Sequence, residues 1–128
     1  MFLLPALQSI AQEKKPAKAE AIDQYWFVMI RTGPNVGLDS LEKAELFKGH
    51  MSNMKRLADE GVLKIAGPFG KNDHTWRGIF ILDCKTLKEA QQHVDTDPAV
   101  NAGLFEVDIV PWYSSPDGNL KHTRKDQE

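Results

Sequence analysis

The chain predicts an α+β fold: a four-stranded antiparallel sheet in the order 4-1-3-2, with two helices on one face. Three observations carry that expectation. Apolar patterns follow one another in the order β-α-β-β-α-β, the split arrangement that closes into such a sheet. The strands this topology places at the centre are apolar on both sides, whereas the outer two carry a polar side: Lys64 in one, Glu106 and Asp108 in the other. Each helical pattern also opens on a capping signal.

The elements follow in order. The run "QYWFVMIR" (24–31) is apolar, aromatic and β-branched, as in a buried strand, and "TGPNVG" ends it. Asp39 and Glu42 have capping-box spacing, and apolar residues recur at Leu41, Ala44, Phe47, Met51, Met54, Leu57 and Ala58. This predicts a helix over about 40–60, with Gly61 just past its end. "VLKIAGPF" (62–69) and "WRGIFILD" (76–83) read as strands joined by the turn-rich "GKNDHT". Thr86 and Glu89 form a second capping box, which opens a helix through about Val94. Asp97 as N-cap, Pro98 at the first position and Gly103 at the end frame a short turn. The alternating "LFEVDIVPWY" (104–113) is the last strand.

Composition limits function. The chain has 128 residues, the length of one domain, and a net charge of −2. A nucleic-acid binder normally carries a basic patch, and none is present. No apolar run reaches the roughly 20 residues that span a bilayer. The single cysteine, Cys84, has no intramolecular partner, and the four histidines are scattered without metal-ligand spacing. No cofactor or metal is therefore expected. The folded domain is read as 23–114, followed by a polar tail over 115–128. Residues 1–22 stand outside it. Their apolar stretch runs into Ser9-Ile10-Ala11, small residues at the −3 and −1 positions of a signal-peptidase site before Gln12, but no basic n-region precedes it. Two readings stay open: the end of an export signal followed by a tether, or an extension of a cytoplasmic protein.

Two helices cover one face of a sheet only. The other face, with Tyr25, Phe27, Met29, Ile79 and Ile81, is too apolar to meet water. At about 25 cal/mol per Å² of buried apolar area, pairing two such faces is strongly favourable. A homodimer joined sheet to sheet is the expected partner arrangement.

The segments "HMSNMKRLADEGVLKIAGPF" (50–69) and "DTDPAVNAGLFEVDIVPW" (95–112) resemble those of YCII-related (YciI-like) proteins. The shared pattern is a helix histidine, then G-x-L, A-G-P, a hairpin, a short helix, a D-P-x-V-x-A-G-L turn and a final strand, over about residues 24–113. The resemblance implies a ferredoxin-like dimeric α+β barrel with an active-site histidine and aspartate, here His50 and Asp97. Relatives include a dehydrochlorinase, and the wider barrel superfamily includes muconolactone isomerases and cofactor-poor monooxygenases. Such proteins are expected mainly in the cytoplasm, at odds with an export signal.

His50 lies three residues after Phe47 and four before Met54, on the stripe that faces the core. It is either a core histidine held by one hydrogen bond or a general base or acid, since imidazole exchanges protons near neutrality. Asp97 can cap its helix with one oxygen and orient His50 with the other; Asp95 is the nearest alternative carboxylate. Gly67, Pro68 and Phe69 end a strand. They form either a simple bulge or the floor and wall of a substrate pocket. Arg31 and Arg77 are candidate anion clamps or solvated strand ends. Trp26, Trp76 and Trp112 read as core or interface aromatics, and Cys84 as a small packing residue. Two functions fit: a cofactor-independent His–Asp acid–base enzyme of lyase, isomerase or hydrolase type on a small organic molecule, or a non-catalytic small-molecule-binding or accessory dimeric domain.

Overall fold

The elements observed in a computed structural model run β1 (Asp23–Thr32), α1 (Ser40–Asp59), β2 (Leu63–Pro68), β3 (Trp76–Leu82), α2 (Leu87–Val94), α3 (Pro98–Asn101) and β4 (Phe105–Ser114). The structure describes residues 22–115. The cleavage site before Gln12 and nearly all of both terminal segments fall outside that range. Strand order is β2-β3-β1-β4, the expected 4-1-3-2 read from the other edge. β1 and β2 both pair antiparallel with β3. Along β4 the partners descend as β1 ascends: Gly33 with Leu104, Arg31 with Glu106, Tyr25 with Trp112. That pair is therefore antiparallel too.

Alternation along β1 sends Trp26, Val28 and Ile30 to one face. There they join Phe80 and Leu82 of β3, Leu63 of β2 and Phe105 of β4 in a single core. Leu57 of α1, Ala90 and Val94 of α2 and Ala99 of α3 close it from above. All three helices thus lie on this face. The opposite face carries Phe27 paired with Ile81, Met29 paired with Ile79, and Ile65 beside Ile81. Tyr25 and Trp112 meet at one end of it, their rings tilted by 51° with centres 6.2 Å apart.

α1 starts as expected. The Glu42 amide donates to Asp39 Oδ1 at 2.8 Å, and the Glu42 carboxylate accepts from the Asp39 amide at 3.4 Å. α2 differs in one half of its cap. Thr86 Oγ1 accepts from the Glu89 amide at 3.1 Å, but the Glu89 carboxylate reaches back to the Lys85 amide at 2.8 Å. The buried line of α1 also differs from the apolar one. Leu46, His50, Asn53 and Leu57 face inward, while Leu41, Ala44 and Ala58 are exposed. Two polar residues can occupy this line because each has a partner: Asp97 for His50, Arg56 for Asn53. Phe47 and Met51 fall beside the line and wall a cavity instead of filling the core, and Met54 does both, packing against the core while lining the cavity.

Among the described residues no helix is long and apolar enough to cross a membrane, and no group of three or more His, Cys, Asp or Glu side chains converges as a metal site.

Candidate functional site

α1 and α3 carry the two halves of a buried pair. His50 Nδ1 lies 2.5 Å from Asp97 Oδ2, with His50 6% and Asp97 1% exposed. The other carboxylate oxygen, Oδ1, accepts the Ala99 amide at 2.8 Å and so caps α3. One aspartate therefore fixes both the short helix and the ring. Asp95 is engaged elsewhere, accepting from Gln91 at 2.8 Å. With Asp97 accepting, the neutral ring carries its proton on Nδ1 and leaves a lone pair on Nε2. No described residue hydrogen-bonds Nε2.

Three phenylalanines hold the imidazole. Phe80 lies parallel to it at 5.8 Å between ring centres, Phe105 meets it edge-on at 5.1 Å, and Phe47 tilts against it at 5.8 Å. This apolar clamp limits rotation and keeps water from the Asp97 side.

The approach of the two helices depends on Gly49. A Cβ built there would lie 2.7 Å from Pro98 Cγ, closer than van der Waals contact allows. Glycine inside a helix costs about 1 kcal/mol relative to alanine. Here it lets α1 come close enough for His50 to reach Asp97. Gly49→Ala is expected to lose about 1–2 kcal/mol of stability, the propensity gain being outweighed by the clash. Denaturant unfolding checks this, and the His50 ring resonances should shift with it. The far end of α3 is pinned by a second glycine. Gly103 has φ +77°, and its carbonyl accepts the Asn35 amide at 3.0 Å, while Asn35 Nδ2 donates to the Ala102 carbonyl at 2.9 Å.

His50 opens on a cavity of about 540 Å³, within the range of small-molecule sites. α1 contributes Phe47, Met51 and Met54. The end of β2 supplies Gly67, Pro68 and Phe69, and the start of β3 supplies Arg77. Gly67 leaves room: a Cβ there would meet no atom within 4 Å. Phe69 packs on Trp76 at 5.5 Å between ring centres. The cavity is thus mostly apolar, with one imidazole and one guanidinium.

Of the residues singled out in the sequence, His50, Asp97, Gly67, Pro68 and Phe69 come together here. Arg31 does not. Its guanidinium lies on the opposite face of the sheet, 2.7 Å from Glu106 and 2.9 Å from Asp108. The hydrogen bond to Asp108, followed by the charges of Asp108 and Glu106, raises its pKa above the ordinary arginine value. Being neutralised and remote, it is unsuited to binding a ligand beside His50. Alternation points Arg31 outward with Phe27 and Met29, a parity that strand end and charge type alone did not reveal. Arg77, the other candidate anion clamp, does line the cavity, whereas Gly49 and Phe105 were not singled out. The one available signal was a glycine placed mid-helix directly before the histidine.

A second, more open hollow of about 630 Å³ is lined by Gln24, Asp83, Cys84, Lys85 and Glu89. Burial, reinforced by Glu89 and Asp83, raises the Cys84 pKa. The thiol keeps its proton and is a poor nucleophile.

Comparison with known proteins agrees with this fold. A solved structure of 5-chloro-2-hydroxyhydroquinone dehydrochlorinase (TftG) from Burkholderia phenoliruptrix, in complex with 2,5-dihydroxybenzoquinone, is similar with TM-score 0.50 and 20% identity, over 68% of this chain and 92% of that one. Protein YciI of Escherichia coli O6:H1 is 36% identical over 83 residues, covering 58% of this chain and 85% of the relative. The uncharacterized protein YjpA of Bacillus subtilis is 36% identical over 64 residues, covering 50% of this chain and 72% of the relative. The family model described as the YCII-related domain matches residues 25–113, from β1 to the end of β4. The chain belongs to the YCII-related family.

Proposed function

We propose that the chain is a cofactor-independent acid–base enzyme of the lyase, isomerase or hydrolase type, acting on a small organic molecule in the cavity beside His50. The observation that carries this reading is the polarity of the His50 ring. One nitrogen is held by a buried carboxylate, and the other is unbonded at a cavity large enough for a substrate. Nε2 takes a proton from a substrate C–H or O–H. The electron pair released expels a leaving group or moves a double bond, and the imidazolium later returns its proton to product or water. Asp97 stabilises that imidazolium through the same short hydrogen bond and acts as a positioning residue.

The working unit is a homodimer joined through the apolar outer face of the sheet. What supports this is that Phe27, Met29 and Ile79, each only half-buried in the subunit, occupy the centre of that face, on strands whose helices are all committed to the other side. Surface of this kind is normally covered.

The dehydrochlorinase shares the fold at low identity and serves to choose test compounds. Turnover of chlorinated hydroxyquinols and lactones by wild type and His50→Ala is the test. Wild type is expected to convert at least one compound, and the variant to be slower by roughly 10²–10⁴-fold, the usual share of a general acid–base. Equal rates, or no turnover by either protein, would favour a non-catalytic binding domain.

A further inference from the structure

The start of β3 contains an irregularity that reassigns one side chain. Ile30 pairs with Gly78, but the next residue of β1, Arg31, pairs with Trp76. Arg77 is therefore the extra residue of a β-bulge. In regular alternation it would share the outer face with Ile79 and Ile81. Instead its guanidinium carbon lies 5.4 Å from the centre of the Phe105 ring, on the helix-covered face, and it lines the cavity with His50. Bulges re-aim side chains in this way and are enriched beside functional sites.

Among the described residues Arg77 is also unpaired. No carboxylate among the described residues forms an ion pair with it, and no Asp or Glu lines the cavity. The acidic side chains of β4, Glu106 and Asp108, are taken by Arg31 on the opposite face. Arg77 is exposed, lies over an aromatic ring beside an apolar cavity and has no counter-charge among the described residues, so its donors are available to an anion. The same Phe105 ring lies 5.1 Å from the His50 ring centre. The cation and the imidazole thus share one aromatic neighbour and line the same cavity. The rest of the lining is aromatic and thioether, which suits a flat apolar body. A bare phosphate would find only one fork of donors and no helix N-terminus among the lining groups.

We propose that Arg77 is the specificity-determining residue of this site, and that the ligand class is small aromatic acids, bound as carboxylate or phenolate. The anionic group sits on the Arg77 guanidinium and the ring lies between Phe105, Phe69 and the methionines of α1. This rests on the cavity named above being the substrate site, but it does not require His50 to be catalytic.

The test is binding of sodium benzoate and of neutral benzamide, followed by amide NMR and calorimetry on the full chain. Wild type is expected to prefer benzoate by at least about tenfold, the worth of one charge-assisted hydrogen bond. Arg77→Met, which retains the aliphatic stem, should lose that preference while binding benzamide as wild type does. Arg77→Lys should keep part of it. Higher salt should weaken benzoate and leave benzamide unchanged. The idea is overturned if Arg77→Met binds benzoate as tightly as wild type, if wild type does not discriminate, or if neither compound shifts the resonances of residues 47–54. His50→Ala separates the two proposals. It should keep the benzoate preference, whatever it does to turnover.

Discussion

Asp97→Asn is expected to leave the protein folded and nearly inactive, with turnover lower by roughly 10²–10⁴-fold. The asparagine oxygen can still accept the Ala99 amide and cap α3, because Asn and Asp are comparable N-caps. Its amide nitrogen, however, presents donors to His50 Nδ1 in place of an acceptor. The ring then takes the opposite tautomer, with its proton on Nε2, and that nitrogen can no longer accept one from a substrate. Asp97→Ala behaves differently. It removes both hydrogen bonds of a carboxylate that is 1% exposed and leaves the His50 Nδ1–H and the Ala99 amide without partners. A loss of about 3 kcal/mol follows from a vacated charged partner and a lost cap. Urea unfolding and steady-state rates of the two variants separate the roles. Activity should fall in both, and stability should fall by more than about 1 kcal/mol only in the alanine variant.

Phe27→Glu is expected to convert the proposed dimer to single subunits. Phe27 lies at the centre of the outer face, paired with Ile81 on β3. Across a two-fold axis the substitution places two uncompensated carboxylates in an apolar interface. The cost of several kcal/mol corresponds to a dissociation constant raised by about a thousandfold or more. Sedimentation equilibrium at micromolar concentration measures it. Val110→Glu, at a position 47% exposed in the subunit, is the control for folding. Lying beside Phe27 in the β1–β4 register, it should leave the subunit folded and also weaken association. Subunits that are already single in wild type would remove the dimer from the account.

The fold was legible because each local signal agreed with the same topology. The Asp39–Glu42 box, Pro98 after Asp97, and Gly61 and Gly103 at φ +80° and +77° all stand where their chemistry predicts. Boundaries were less sharp, and the facing of α1 was misplaced. An apolar stripe cannot tell a core from a cavity, and Phe47 and Met51 belong to the cavity. The placement of Arg31 and Arg77 was not legible at all. Both are arginines at strand ends. A one-residue bulge, which no alternation pattern announces, turns Arg77 toward His50, while regular pleating sends Arg31 to Glu106 and Asp108. Gly49 carried a signal that composition hides, since its value lies in the atom it lacks against Pro98. The His50–Asp97 contact spans 47 residues of sequence. Spacing alone could offer either Asp95 or Asp97 as the partner.

Asp97 holds the His50 ring by Nδ1, and the ring lines the cavity. The most direct measurement is long-range ¹H–¹⁵N correlation of the His50 ring in mildly alkaline solution. A protonated Nδ1 with a strongly downfield proton, an unprotonated Nε2, and a change confined to Nε2 when benzoate enters are the expected results. A ring found with its proton on Nε2, or one whose Nδ1 signal is unchanged in Asp97→Asn, would contradict that arrangement.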